Sequence, residues 1–348
     1  MRGLGWLKRW TMHLATRLLS RTIILLYHRV ISLPNDPQKL CVSPENFATH
    51  LSIICRHFHP ISLQELCSNL RDGRVTNRGI VITFDDGYAD NLLHAKPILE
   101  KYGVPATVFT VYDWVDSQRE FFWDDLARIL LTTPDLPGQL EIKISGKKQT
   151  WDLSDCSGLK LPSGPNPLAP MWDVEMADNP TPRHRAYREL VSTLRDSDEV
   201  IREQLLRDLC EWAGINRKGR DDHRTLTVGE LCALEDGGLI DVGAHTRAHV
   251  RLSKLSANAQ RHEIFDSKQK LEAFICHPVT SFSYPFGSHD DYNYTSIELI
   301  RAAGFACACS NVLGCVHRWS DPFQLPRFIV RNWDGEEFER QLLLFFGS

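Results

Sequence analysis

Two adjacent carboxylates end an apolar run in this chain: Gly79-Ile80-Val81-Ile82-Thr83-Phe84 leads straight into Asp85-Asp86-Gly87-Tyr88. The β-branched run has the pattern of a buried strand. The residues that follow, Ala89 to Leu99, carry apolar side chains at helical spacing and stop near Gly103. Strand, turn and helix in that order belong to α/β folds, which place their active sites where parallel strands end. There, one Asp can bind a metal while its neighbour, pointing elsewhere, takes a proton. A bare Asp-Asp-Gly is more often a solvated turn, so the functional reading needs support from elsewhere in the chain.

Two further segments supply it. Residues 239–244 form a second short apolar strand, running into His245-Thr246-Arg247-Ala248-His249. Histidines four apart on one helical turn can reach a single ion, although two surface histidines would give the same spacing. The third segment, Ser281-Phe282-Ser283-Tyr284-Pro285-Phe286-Gly287, is another strand ending in a turn with Pro and Gly.

Together and in this order, the three segments resemble the motifs of the polysaccharide deacetylases, the NodB-homology group of carbohydrate esterase family 4. That family carries Thr-Phe-Asp-Asp-Gly, then His-(Ser/Thr)-x-x-His, then a Pro-containing motif. The resemblance covers residues 22–115 and 223–332. It implies a distorted (β/α) barrel of about seven strands, in line with the alternation of strand and helix patterns along the chain. It also implies a divalent ion on Asp86, His245 and His249, with Asp85 as general base. The turn Tyr284-Pro285-Phe286 would bind substrate, with the Phe286 backbone N–H as oxyanion donor. One Asp and two His leave coordination positions open, as a catalytic site requires. Such ligands suit zinc best, with cobalt, nickel or iron as alternatives. The ion polarises an acyl carbonyl and acidifies water, and the carboxylate removes the proton.

Two departures from the family pattern matter. The usual Leu-x-His near the C-terminus is missing, while Leu26-Tyr27-His28 ends the first strand pattern, Thr22 to Tyr27. This resembles the circularly permuted exopolysaccharide deacetylases, which makes His28 the candidate acid. A hydrogen-bonded core histidine is the plainer account. Secondly, Ser283 stands where the family often has an Arg that holds the catalytic Asp. Arg327, in Leu325-Pro326-Arg327, is the candidate replacement, and an exposed surface Arg is the competing reading.

The rest of the chain sets the organisation. At 348 residues with 43% hydrophobic content, there is ample material for one barrel and additions. The expected division is an amphipathic N-terminal helix over 1–21, a barrel over 22–117 and 223–348, and an insertion over 118–222 beside the active-site face. The N-terminal stretch mixes Arg2, Lys8, Arg9, Arg17 and Arg21 with Trp6, Leu7, Trp10 and Leu14. It can pack on the barrel, the favoured reading, or make a peripheral membrane contact. It lacks the uninterrupted apolar core and cleavage site of a secretory signal, so a cytoplasmic location is expected. The ten cysteines then read as reduced thiols, with Cys307 and Cys309 in a buried strand and no second metal site. A net charge of −4 gives no basis for nucleic acid binding. Within the insertion a strand pair is expected at 139–152 and one long helix at 183–212. Trp123, Trp151, Trp172 and Trp212 are candidates for stacking on sugar, although packing is the commoner use of Trp.

These readings converge on a metal-dependent enzyme that removes N-acetyl groups from a polysaccharide or an oligosaccharide intermediate, with an acetylated glycan as its partner. An O-acetyl carbohydrate esterase would use the same residues. An inactive glycan-binding relative would not need all of Asp85, Asp86, His245 and His249.

Overall fold

A computed structural model describes residues 20–117, 119–144, 146–154 and 172–347 of the chain. Most of the expected N-terminal helix therefore lies outside the described residues. The chain divides into two units, one of Met1–Ile31, Cys41–Val115 and Leu226–Ser348, the other of Ser32–Leu40 and Asp116–Thr225.

The first unit is built on a parallel sheet. Seven strands form its main path: β1 (Thr22–Tyr27), β2 (Gly79–Phe84), β3 (Ala106–Thr110), β4 (Ile240–Ala244), β5 (Ser281–Ser283), β6 (Cys307–Cys309) and β7 (Phe328–Ile329). Their spatial order is β6-β5-β4-β3-β2-β1-β7, and a short strand at His59–Pro60 also pairs with β2. Six strands thus follow chain order and the seventh returns beside the first. The sheet curls far enough that the approach to β7 also meets β6: the Leu325 N–H donates to Ala308 O at 2.9 Å, and the Ser310 N–H to Leu325 O at 2.8 Å. This is a distorted (β/α) barrel in which the first and last strands in chain order, β1 and β7, are neighbours.

Helices between the strands start and stop on local signals. Ser43 caps Pro44–His57 through a 3.2 Å bond from the Asn46 N–H, with Pro44 in the first turn, where a missing N–H costs nothing. Thr227 and Glu230 form a reciprocal capping box at Val228–Glu235. Gly103 ends Lys96–Tyr102 in the left-handed region.

The period of two along each strand divides the core. Ile23, Leu25 and Tyr27 join an outer cluster with the helix residues Phe47, Leu51 and Ile54. Ile24 instead meets Val81, Phe109, Cys307, Cys309 and Leu325 in the barrel interior, below which Leu63, Leu66 and Leu70 pack from one helix. All four residues from Ile23 to Leu26 are fully buried, as expected for a parallel strand covered on both faces. Burial of one such side chain contributes about 1.5–3 kcal/mol, so this layer carries much of the stability. At Gly243 a Cβ would lie 2.4 Å from the Phe109 ring, so only glycine lets this inward aromatic fill the barrel.

The second unit holds an antiparallel hairpin, Gln139–Ile144 with Lys147–Asp152, and helices at Phe122–Ala127, Pro182–Arg195 and Glu199–Trp212. The single long helix expected over 183–212 is two helices. The chain breaks at Asp196–Asp198, where the Asp198 carboxylate accepts the Ile201 N–H and restarts the helix. Residues 32–40 join this unit: Gln38 donates to the Tyr187 hydroxyl at 2.7 Å, and Pro37 O accepts the Val174 N–H. The tryptophans serve packing here. Trp123 stacks on Phe121, Trp151 donates to Glu189, Trp172 donates to Asp178 O, and all three are buried. Trp212 is spent on Gln139 O.

Candidate functional site

The barrel's inward parity continues past the strand ends and gathers the polar residues. Val81, Thr83 and Asp85 share one face of β2 and its extension, Leu325 and Arg327 one face of the approach to β7, and Ile24, Leu26 and His28 one face of β1. Asp85 and Arg327, 242 positions apart in sequence, meet in a bidentate pair, Nη1–Oδ1 2.8 Å and Nη2–Oδ2 2.7 Å. Ser283 joins them, donating to Asp85 Oδ2 at 3.2 Å and accepting from Arg327 Nη2 at 2.9 Å. Arg327 is wholly buried, and its Nε is tied to Ser310 O at 2.8 Å. Burial pushes the Asp85 carboxyl up, but Arg327 and His245 outweigh it and hold it well below the usual carboxylate range.

Asp86 faces the other way. The chain turns through positive φ at Asp86 (76°) and Gly87 (72°), and a Cβ at Gly87 would sit 3.0 Å from Thr110. That turn lets two neighbouring carboxylates take different surroundings. Asp86 Oδ1 lies 3.6 Å from His245 Nε2 and 3.3 Å from His249 Nε2. Burial raises the Asp86 pKa, with His28 and His245 opposing and Asp85 reinforcing the rise.

His245 and His249 do not share a helical turn, contrary to the expectation from their spacing. The segment is a loop with positive φ at Thr246 (62°) and His249 (51°), and the two rings stand 5.0 Å apart at 66°. Thr246 closes the loop by accepting the His249 N–H on its hydroxyl at 3.0 Å. The His245 Nδ1 lies 2.8 Å from Ser283 O. A carbonyl only accepts, so Nδ1 carries the proton and neutral His245 presents the Nε2 lone pair. Burial lowers the His245 pKa, favouring that neutral form.

These residues fit a divalent ion. One ligand atom from each of Asp86, His245 and His249 lies within 4.8 Å of the other two, and all three residues are buried. Asp86 Oδ1 is buried and accepts no hydrogen bond from the described residues. A buried carboxylate oxygen in that state is costly unless a cation meets it.

His28 sits beyond β1 at intermediate exposure. Burial lowers its pKa, while its charged form interacts favourably with Asp86 and Asp85 and unfavourably with Arg331 and Arg327. Its backbone is held by the residues after the carboxylate pair. Asn91 donates to His28 O at 2.8 Å, and Asp90 Oδ1 accepts the Val30 N–H at 2.8 Å. His94 Nδ1 donates to Val30 O at 2.8 Å. Asn91–Ala95 is a π-helical turn, a form found often at functional sites.

The turn after β5 divides. Phe286, at φ 60°, places its ring edge-on to His249 at 4.7 Å, next to the buried Pro285. Tyr284 does not join the site. One residue past inward Ser283, it points outward, stacks on Tyr292 at 4.0 Å and donates its hydroxyl to Phe323 O. The expectation that it binds substrate is therefore corrected to a packing role.

One buried pair was not foreseen from the sequence. Arg29 bonds Asp90 at 2.9 Å and lies over the Tyr88 ring. Its only sequence trace was a basic residue directly after His28.

Residues 72–133 and 222–308 match the family model described as polysaccharide deacetylase. The Bacillus subtilis (strain 168) protein YxkH, which carries a polysaccharide deacetylase name, is 33% identical over 90 residues, 25% of this chain. That match spans 31% of the length of YxkH. Among solved structures, the Streptococcus pyogenes deacetylase PplD in complex with acetate superposes with a TM-score of 0.56 at 16% identity, over 92% of this chain and 98% of that one. IcaB from Ammonifex degensii superposes with a TM-score of 0.54 at 14% identity, over 94% and 97% of the two chains. At these identities the structural likeness is one of fold.

Proposed function

We propose that this chain, whose residues 72–133 and 222–308 match the polysaccharide deacetylase family model, is a divalent-metal-dependent hydrolase releasing acetate from the N-acetyl groups of a glycan. The observation that carries this is the divergence of two adjacent carboxylates, Asp85 to Arg327 and Asp86 to the two histidines. An ion held by Asp86, His245 and His249, best zinc by the chemistry of these ligands, would polarise the acyl carbonyl and acidify nearby water.

Asp85 then removes the proton from the attacking water. Arg327 occupies one lone pair on each carboxylate oxygen and Ser283 a second on Oδ2, which leaves Oδ1 the oxygen that accepts the proton. The same pairing favours the ionised form of Asp85, the form that can act as base. The N–H of Phe286, whose ring packs edge-on against His249, would serve the developing oxyanion. His28, whose pKa burial lowers against the opposing pull of Asp86 and Asp85, is the group that gives a proton to the leaving amine.

The test is acetate release from a panel of N- and O-acetylated sugars and oligosaccharides, with and without a chelator. N-linked acetate should be released, release should stop on chelation, and added zinc or cobalt should restore it. Release from O-acetyl sugars alone would make the protein an esterase. Undiminished release from metal-free protein would overturn the mechanism.

A further inference from the structure

Two backbone amides of the loop that carries both histidines are held by a carboxylate from another element. Glu263 lies on the helix Ala257–Ile275 and is buried. Its Oε2 accepts the Arg247 N–H at 3.0 Å and the Ala248 N–H at 2.9 Å, two successive amides between His245 and His249. Its Oε1 lies 3.5 Å from Arg247 Nε. On the other side of the loop, the Tyr112 N–H donates to Thr246 O, the Asp113 N–H donates to Arg247 O at 2.9 Å, and Asp113 Oδ2 pairs with Arg247 Nη1 at 3.2 Å.

The loop needs such support. Thr246 and His249 both take the left-handed conformation, which costs a non-glycine residue about 1 kcal/mol or more each. Without secondary structure of its own, the loop has no internal ladder to satisfy those amides. A single oxygen accepting two consecutive N–H groups fixes the peptide plane there, and with it the separation of the two imidazoles.

We infer that Glu263 is a positioning residue for the metal site: it sets the His245–His249 spacing by binding the backbone between them. Its bonds to the loop go to backbone amides and to the Arg247 side chain. The inference rests on the metal reading above and adds a residue of another helix to the site. Partners that orient metal ligands typically cost 10–100-fold in metal affinity when lost.

Zinc or cobalt binding by full-length protein tests it, measured by competition with a chromogenic chelator, together with the thermal midpoint of the metal-free protein. Glu263→Ala should weaken binding by about tenfold to a hundredfold. Glu263→Gln keeps an oxygen able to accept both amides and should lie within a few-fold of wild type. His249→Ala reports loss of a direct ligand. Wild-type protein that binds no ion better than His249→Ala would overturn the metal reading and the inference with it. Tight binding by the wild type and equally tight binding by Glu263→Ala would overturn the inference alone. A lowered metal-free midpoint in Glu263→Ala with unchanged affinity would also overturn it, because that result belongs to a residue that only supports the fold.

Discussion

The guanidinium of Arg327 and the carboxylate of Asp85 form two parallel hydrogen bonds of 2.8 and 2.7 Å inside the barrel. The pair sets the ionisation of the proposed base. With Asp85 depressed in the folded state, its contribution to stability is fully present above the ordinary carboxylate pKa of about 3.9 and is lost as pH falls through the lower folded value. Arg327→Gln leaves a buried carboxylate with burial as the dominant influence, so its pKa rises. The acid limb of the pH–rate profile should move to higher pH. Urea unfolding at pH 7 should show a loss of about 3–5 kcal/mol, the usual cost of breaking a buried ion pair from one side. An unmoved acid limb would separate Asp85 from the rate.

The two aspartates should separate cleanly under amide substitution. Asp85→Asn cannot take a proton, so turnover should fall by about a hundredfold or more while metal content is retained. Asp86→Asn removes one of three proposed ligands and should lose metal first. Metal content by mass spectrometry, measured alongside acetate release, checks this. Equal metal loss in both variants would mean that the two carboxylates are wrongly assigned.

His28 is the proposed acid, and leaving groups discriminate that role from a core one. His28→Gln should lower hydrolysis of an N-acetyl sugar far more than hydrolysis of an aryl acetate, whose leaving group needs little protonation. Metal affinity should change little. Equal losses on both substrates would reduce His28 to a structural residue.

His50 gives a pH test independent of catalysis. It is fully buried, stacked on Phe338 at 3.8 Å, accepts from the Tyr27 hydroxyl at 3.3 Å and donates to Trp333 O at 2.8 Å. Burial lowers its pKa to about 4. A folded value below the unfolded one means the unfolded chain binds the proton more readily. Its stabilising effect is therefore complete above about pH 6.5 and lost as pH falls toward 4. His50→Gln should cost about 1–3 kcal/mol at pH 7, with the gap to wild type narrowing through that window in thermal melts. A gap independent of pH would mean His50 does not titrate there.

Much of the site was legible because strand periodicity and short motifs are local. The run Gly79–Phe84 ending in two carboxylates fixes a buried strand, and Asp85, His245 and Arg327 lie on faces that alternation alone assigns. The loop geometry was not legible. His-x-x-x-His suits a helical turn as readily as a bent loop, and the tertiary bonds from Glu263, Tyr112 and Asp113 favour the loop. Tyr284 misled because motif membership says nothing about which face a side chain takes, and Tyr292 and Phe323 claim it for the core.

By itself, then, the sequence determined the alternation of buried strands and helices, the inward parity of the polar residues and the identity of the chemical groups. Each of these follows from side chains within a few positions of one another. Curling of the sheet decided the rest. It brought Arg327 to Asp85, Ser283 between them and β1 beside β7, pairings between residues up to several hundred positions apart. No local rule encodes such a pairing, because its free energy depends on burial and hydrogen bonds that exist only once the barrel has formed.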